Sequence, residues 1–498
     1  MGIRFAPSIG SAGRSSPRIR RVRVRAVFLP GILGALCALA GCAVAPLPRL
    51  DDRTPQGWQH AFAPDDAPAA DLRSWWTAFH DPQLDRLIDK ALADNLTIRQ
   101  AALRIDASRA LAGSASAVYL PQVGAHTFSE PAPDSSASYF QVGFDAKWEL
   151  GLFGRAQSRA RVTAADLRIA QSDAQAARVS VVAEVVRAYA SLRGAQQRLA
   201  LLQQMTAIAA DRITLTTTRL RLRLASTREL AQAQAEQASA EAALAEPRLA
   251  IDRTRQQLAV LLAQDKPDVD LAAPVTPLQL GDIGIATAPA DLLRTRPEIR
   301  HAENDVLKAA GELGLARADR FPRVGLGGSL TYSSRVIGHT RLADADGIAT
   351  FGPAIDIPLF DWGARRAVQD ARDAELSASL LAYRQSVLEG LAEVETAMAT
   401  LEHSRERTVA LARVLASLER GDAVSATLQR VGLADDRDRA TASIALVQAR
   451  LDLAQTEQER NVAFVALYKA LGGAPLPVAE SQSVPSSSYP GRGKDAGR

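Results

Sequence analysis

The sequence predicts a mainly α-helical chain that carries a few membrane-spanning β-strands and repeats one unit twice. Three observations predict this class. Long stretches rich in alanine and leucine, without proline, read as helices longer than a compact domain holds. Two stretches of alternating polarity read as β-hairpins. Residues also recur at a constant separation of 209, over about eighty positions, which is the mark of an internal duplication.

The N-terminus comes first because it decides the charge. The chain has 498 residues, a formal net charge of +4 and a pI near 9.2. A basic chain suggests nucleic acid until the charge is located. Arg4, Arg14, Arg18, Arg20, Arg21, Arg23 and Arg25 lie together with no acid among them. An apolar run from Ala26 to Ala40 follows, shorter than the roughly 20 residues of a spanning helix. This order is that of a secretory signal. Its end, Leu39-Ala40-Gly41-Cys42, resembles the lipobox of bacterial lipoproteins. That resemblance implies removal of the signal peptide, residues 1–41, and acylation of Cys42. The alternative is an ordinary signal with a chance cysteine. The basic stretch is longer than such signals need, which fits a start codon downstream of Met1. Losing those seven arginines takes the formal charge from +4 to −3, so no nucleic-acid partner is expected. Ala43 stands where an aspartate favours inner-membrane retention, so the lipobox resemblance implies the outer membrane.

Residues 42–72, rich in proline, alanine and aspartate, read as a lipid-anchored tether. The first unit is placed at 73–272. Asp81 reads as an N-cap with Pro82 at the first helical position. Leu84, Leu87, Ile88, Ala91 and Leu92 share one face of a helix expected to run to about Val118. A hairpin is expected over 121–150, because Phe140, Val142, Phe144 and Ala146 alternate and Ser129 to Ser136 reads as a loop. Long helices are expected over 155–262, the first to about Leu224 and the second kinked at Pro247. Seventy helical residues span roughly 100 Å and must pack against partners of equal length.

The second unit is placed at 273–472. Ala183-Glu184-Val185 matches Ala392-Glu393-Val394, and Arg221, Leu224, Ala225 and Arg228 match Arg430, Leu433, Ala434 and Arg437. Upstream, with a small shift, Leu120-Pro121-Gln122-Val123-Gly124 answers Phe321-Pro322-Arg323-Val324-Gly325. A hairpin is expected over 321–358, long helices over 364–471, and a disordered tail over 473–498.

Four strands per chain are too few for a closed membrane barrel, whose smallest examples have eight. Several copies are needed, and three would give twelve strands. The soluble alternative is a hairpin cap on a coiled coil. Signs of catalysis are weak. His60, His80, His126, His301, His339 and His403 show no ligand spacing, so no metal and no cofactor is expected. Gly325-Leu326-Gly327-Gly328 lies in an expected strand and opens no helix, against a phosphate loop. The chain is expected not to be an enzyme.

Several motifs then carry a family resemblance. Trp75-Trp76-Thr77-Ala78-Phe79-His80-Asp81-Pro82-Gln83-Leu84-Asp85 resembles the N-terminal signature of TolC-like outer membrane efflux lipoproteins of the NodT type. Trp148-Glu149-Leu150-Gly151-Leu152-Phe153-Gly154-Arg155 resembles their strand-to-helix motif, with Gly151 where an acid is usual. Leu292-Leu293-Arg294-Thr295-Arg296-Pro297-Glu298-Ile299-Arg300 resembles their most recognisable motif. Pro358-Leu359-Phe360-Asp361-Trp362-Gly363 follows, with Trp362 where glycine is common, and then Val465 to Gly473. The resemblance implies a homotrimer: a 12-stranded barrel in outer-membrane lipid continued by a long α-helical barrel across the periplasm. It implies a passive exit duct for small toxic compounds in a tripartite efflux pump. Its partners would be a periplasmic adaptor (membrane fusion protein) and an inner-membrane RND-type pump.

The resemblance also points to the periplasmic tip. Leu428-Gln429-Arg430-Val431-Gly432-Leu433-Ala434-Asp435 keeps the Gly-Leu-x-Asp part of the family's tip motif. Arg223 stands at the equivalent glycine position, and Thr441 where the family places a constricting aspartate. Arg219, Arg221, Arg223 and Arg228 from the first unit, with Asp435, Asp436 and Asp438 from the second, are expected to pair as a gate latch. The alternative is a solvated turn without a latch. The competing function is a lipid-anchored periplasmic coiled-coil scaffold or adaptor.

Overall fold

The computed structural model describes residues 48–51, 53–60, 71–130, 139–267, 278–280, 291, 295–337, 341–433 and 435–474. Cys42, the signal segment and residues 292–294 lie outside the described residues. Helices α1 (Pro82–Asp94) and α2 (Leu96–Ser114) lead to strands β1 (Gln122–Glu130) and β2 (Tyr139–Glu149). Helix α3 (Arg155–Arg221) follows, then α4 (Thr227–Ala243) and α5 (Ala245–Leu261). The second half runs α6 (Pro297–Ala318), β3 (Arg323–Ile337), β4 (Arg341–Asp356), α7 (Ala364–Arg430) and α8 (Asp436–Ala470). Helices α3 and α7 each hold 67 residues, about 100 Å at 1.5 Å per residue. The four strands form one antiparallel sheet in the order β1-β2-β3-β4.

The N-terminal motif builds the core. Asp81 caps α1, its Oδ1 accepting from the Gln83 and Leu84 amides, while Oδ2 accepts from the Tyr189 hydroxyl at 2.6 Å. Burial first, and then this bond, push the Tyr189 hydroxyl up to about 12. Trp75 is fully buried, stacks on Tyr468 at 5.5 Å and donates its indole N–H to the Gly473 carbonyl at 3.1 Å. The segment before α1 and the segment after α8 are thus stapled together. Arg296, from the motif before α6, is buried and donates to Glu393 on α7 at 2.6 Å.

The structure departs from the expected bounds at four places. The expected helix from Asp81 to Val118 is broken at Asn95, whose side chain caps α2 through the Thr97 and Ile98 amides and donates to the Leu261 carbonyl at 2.8 Å. The expected helix over 227–262 breaks at Leu244. The ring of Pro247 crowds the carbonyl four residues back, at Ala243, and its missing N–H costs nothing in a first turn. The expected tether over 42–72 is not free throughout, since Leu50 and Trp58 pack on the core and the Gln59 amide donates to Glu395. Proline-rich composition concealed those two apolar anchors. The expected tail over 473–498 begins too early, because Gly473 and Ala474 are packed in the core region.

Candidate functional site: the strand sheet and the helical tip

Two regions carry features a duct would use, one at each end of the long helices. The first is the sheet. Pairing places Val123, Ala125 and Thr127 of β1 in line with Ala146, Phe144 and Val142 of β2. Those in turn meet Gly328, Leu330 and Tyr332 of β3, and then Phe351, Ala349 and Gly347 of β4. One face is therefore almost wholly apolar, and Val123, Phe144, Leu330, Tyr332 and Phe351 are exposed on it. The opposite face carries Gln122, His126, Asp145, Lys147, Ser329, Thr331 and Thr350. There His126 Nδ1 lies 3.0 Å from Asp145, and the Ser329 and Thr350 hydroxyls bond at 2.7 Å. Period-two alternation produces both faces at once.

The second region is the tip, where α3 turns into α4 and α7 into α8. Both helices end alike. The Arg223 amide donates to Leu220 and the Leu224 amide to Arg219; 209 residues on, Gly432 donates to Gln429 and Leu433 to Leu428. This is a Schellman cap, which needs a left-handed residue just past the helix. Gly432 adopts it at φ 79 without a Cβ penalty, and Arg223 adopts it at φ 59 despite one.

Of the arginines and aspartates expected to meet, one pair does. Arg219 donates to Asp435 Oδ2 at 3.0 Å. Asp435 also caps α8, its Oδ1 accepting from the Arg437 and Asp438 amides at 2.8 and 2.9 Å. The Asp438 amide does most to hold the Asp435 carboxyl below its usual range, slight burial opposes it, and Arg219 adds to the lowering. Arg221 bonds Thr218 on its own helix, and Asp436 accepts from Gln429. Arg223, Arg228 and the Asp438 carboxylate form no ion pair among the described residues. Thr441 bonds back to the Arg437 carbonyl.

A second contact of opposite sense was missed. Arg437 Nη1 lies 3.8 Å from Glu229 Oε1. Glu229 belongs to a capping box with Ser226, whose amide does most to hold its carboxyl low. The Ser226-x-x-Glu229 spacing was a legible signal for that box. Ser226 and Asp435 are the two N-caps at equivalent positions, so each turn sets one acid facing an arginine of the other. Leu222, Leu224, Val431 and Leu433 stand exposed beside these pairs.

Known proteins resemble this chain in sequence and fold. Outer membrane protein OprJ of Pseudomonas aeruginosa is 29% identical over 469 residues, covering 90% of this chain and 95% of that protein. The cation efflux system protein CusC of Escherichia coli is 27% identical over 457 residues, covering 88% and 96%. Among solved structures, the outer-membrane channel OprN superposes with a TM-score of 0.74 at 29% identity, covering 88% of this chain and all of that one. The open MtrE outer membrane channel of Neisseria gonorrhoeae gives 0.74 at 26% identity, covering 86% and 98%. The sequence matches the family described as outer membrane efflux protein over residues 87–264 and 288–473. With most of its length matched, the chain belongs to the outer membrane efflux protein family and is an exit duct of the outer membrane reaching into the periplasm.

Proposed function

We propose that three copies of this chain close into one tube, a 12-stranded barrel in the outer membrane continued by a helical barrel. One observation carries the reading: the four-stranded sheet has an apolar and a polar face, with β1 and β4 as its outer strands. In hydrocarbon an unpaired strand edge leaves backbone groups unsatisfied at several kcal/mol each, so the sheet must close with further copies. Two copies would give eight strands, whose interior side chains fill. Three leave a lumen lined by the polar face, with the apolar face toward lipid.

The duct performs no chemistry in this reading. Compounds pass down their gradient through water, and selection falls to an inner-membrane RND-type pump working through a periplasmic adaptor. The relatives' printed names range from toluene to cation efflux, which fits a tube that discriminates little. The exposed leucines of the tip would meet the adaptor's helices, and the crossed contacts Arg219–Asp435 and Arg437–Glu229 would hold the tip closed until then. A lipid on Cys42 would anchor each copy to the membrane its strands cross.

Gel migration tests this reading. Protein from the outer-membrane fraction should run as a trimer unheated and as a monomer when boiled, and conduct in planar bilayers. Monomers released without detergent would overturn it.

A further inference from the structure

The seam that joins the two halves inside the chain has an unfilled counterpart at its two outer edges. The pairs Gln122↔Lys147 and Val123↔Ala146 of β1 and β2 recur as Arg323↔Asp356 and Val324↔Ile355 of β3 and β4. Register therefore repeats when β1 is carried onto β3 and β2 onto β4. The turn from strand to helix repeats too. Phe153 and Trp362 are both left-handed, at φ 55 and 56, and each precedes a left-handed glycine, Gly154 or Gly363. The Arg155 amide donates to Leu152 as that of Ala364 does to Asp361, and Ser158 to Gly154 as Ala367 does to Gly363.

The two aromatic side chains differ in what they touch. Phe153 is 7% exposed and stacks on Phe321 at 5.2 Å, with the rings 13° apart. Trp362 is 91% exposed, and its ring neighbour Phe360 is itself 75% exposed. A bulky residue at positive φ is strained and persists where its surroundings over-determine it. Phe321 supplies those surroundings for Phe153. The equivalent of Phe321 is Leu120, since Leu120-Pro121 leads into β1 as Phe321-Pro322 leads into β3, and Leu120 is 57% exposed.

The neighbouring polar contact changes in step. Beside Phe153, Arg155 pairs with Asp319 at 2.5 Å. The equivalent positions hold Ala364 and Val118, both apolar, so the outer edges match each other in chemistry as the inner seam does.

We propose that Trp362 of each copy seats on Leu120 of the next, as Phe153 seats on Phe321 within the chain. β4 then pairs with β1 of the next copy in the register that sets Ile355 opposite Thr127, the counterpart of Ala146↔Gly328. The same register sets Asp356 opposite His126 of the next copy, a carboxylate facing an imidazole on the polar face. The proposal rests on the three-copy reading above and names its seam.

Cysteine pairs in the full chain, purified from outer membranes, test it with a short bifunctional thiol reagent. Unmodified chain is first run unheated to establish the trimer; its absence would sink the three-copy reading and the seam together. Given the trimer, Leu120→Cys with Trp362→Cys, and Thr127→Cys with Ile355→Cys, should each give a ladder ending at three copies after boiling. Single-cysteine variants should give none. Ala125→Cys with Ile355→Cys, on the same face but slipped, should crosslink far less. Trp362→Ala alone should lower the temperature at which the trimer falls to monomers. A trimer in which the slipped pair crosslinks best, or which melts unchanged without Trp362, overturns the proposal.

Discussion

At the scale of single residues, the tip shows one backbone requirement met in two ways. Gly432 and Arg223 close equivalent Schellman caps, and a side chain in the left-handed region costs about 1–2 kcal/mol. Arg223→Gly should therefore raise tip stability by about 1 kcal/mol, seen as slower amide exchange over 215–230, although it removes a charge. Asp435 has two tasks that substitution separates. Asn caps as well as Asp, so Asp435→Asn should spare α8 and lose the Arg219 contact, whereas Asp435→Ala should also cost about 0.5–2 kcal/mol of capping. Exposed ion pairs contribute little singly, about 0.2–1 kcal/mol, so open probability should rise measurably only because the contact would repeat in three copies. The pH sign follows from the lowered carboxyl. Its stabilisation is complete above the unfolded-state value and is lost as pH falls through the folded one. Open probability in single-channel records should stay flat down to about pH 4 and rise below it. A rise already near pH ~6 would implicate histidine instead.

At the scale of elements, the long helices lie close because small residues let them. A Cβ on Gly311 of α6 would meet Val162 Cγ2 at 2.8 Å and the Ser158 carbonyl and Val162 amide of α3 at 3.2 Å. Overpacking of this kind costs about 1–3 kcal/mol, more than the helix-propensity gain of about 1 kcal/mol from alanine. Gly311→Ala should lower the melting temperature, while Gly421→Ala on α7, where a Cβ meets nothing within 4 Å, should not. Helix breaks follow the same local logic. Asn95 ends α1 and starts α2 because one side chain caps the second helix and reaches the Leu261 carbonyl, 166 residues away.

At the scale of the whole molecule, the sheet's two faces set the expected effect of charge. Phe144→Lys or Leu330→Lys, on the apolar face, should cost about 2–4 kcal/mol near the bilayer midplane and deplete the outer-membrane fraction. Ser329→Lys, one position along β3 and on the polar face, should leave assembly intact and change ion selectivity in planar bilayers. Equal loss of assembly from Ser329→Lys and Leu330→Lys would count against a lumen on that face. The long helices, by contrast, are polar enough that none described is apolar enough to cross a membrane.

Much of the architecture was legible from periodicity, because alternation at two and recurrence at 3.6 are local properties. The strands and the two 67-residue helices that follow them could be read that way. So could the family, from the Trp75-Trp76 and Arg296-Pro297 motifs, which prove to be where distant segments are stapled. Local patterning thus set the repertoire of elements and their polarity. The packing of distant segments settles which charges meet. Arg219 reaches Asp435 while Arg221, two residues on, turns back to Thr218, because helical rotation points neighbouring side chains in different directions. It alone distinguished Phe153 from Trp362, two aromatic residues with one backbone conformation. One finds Phe321 within its own chain, and the other stands at a sheet edge where the described residues offer no further strand.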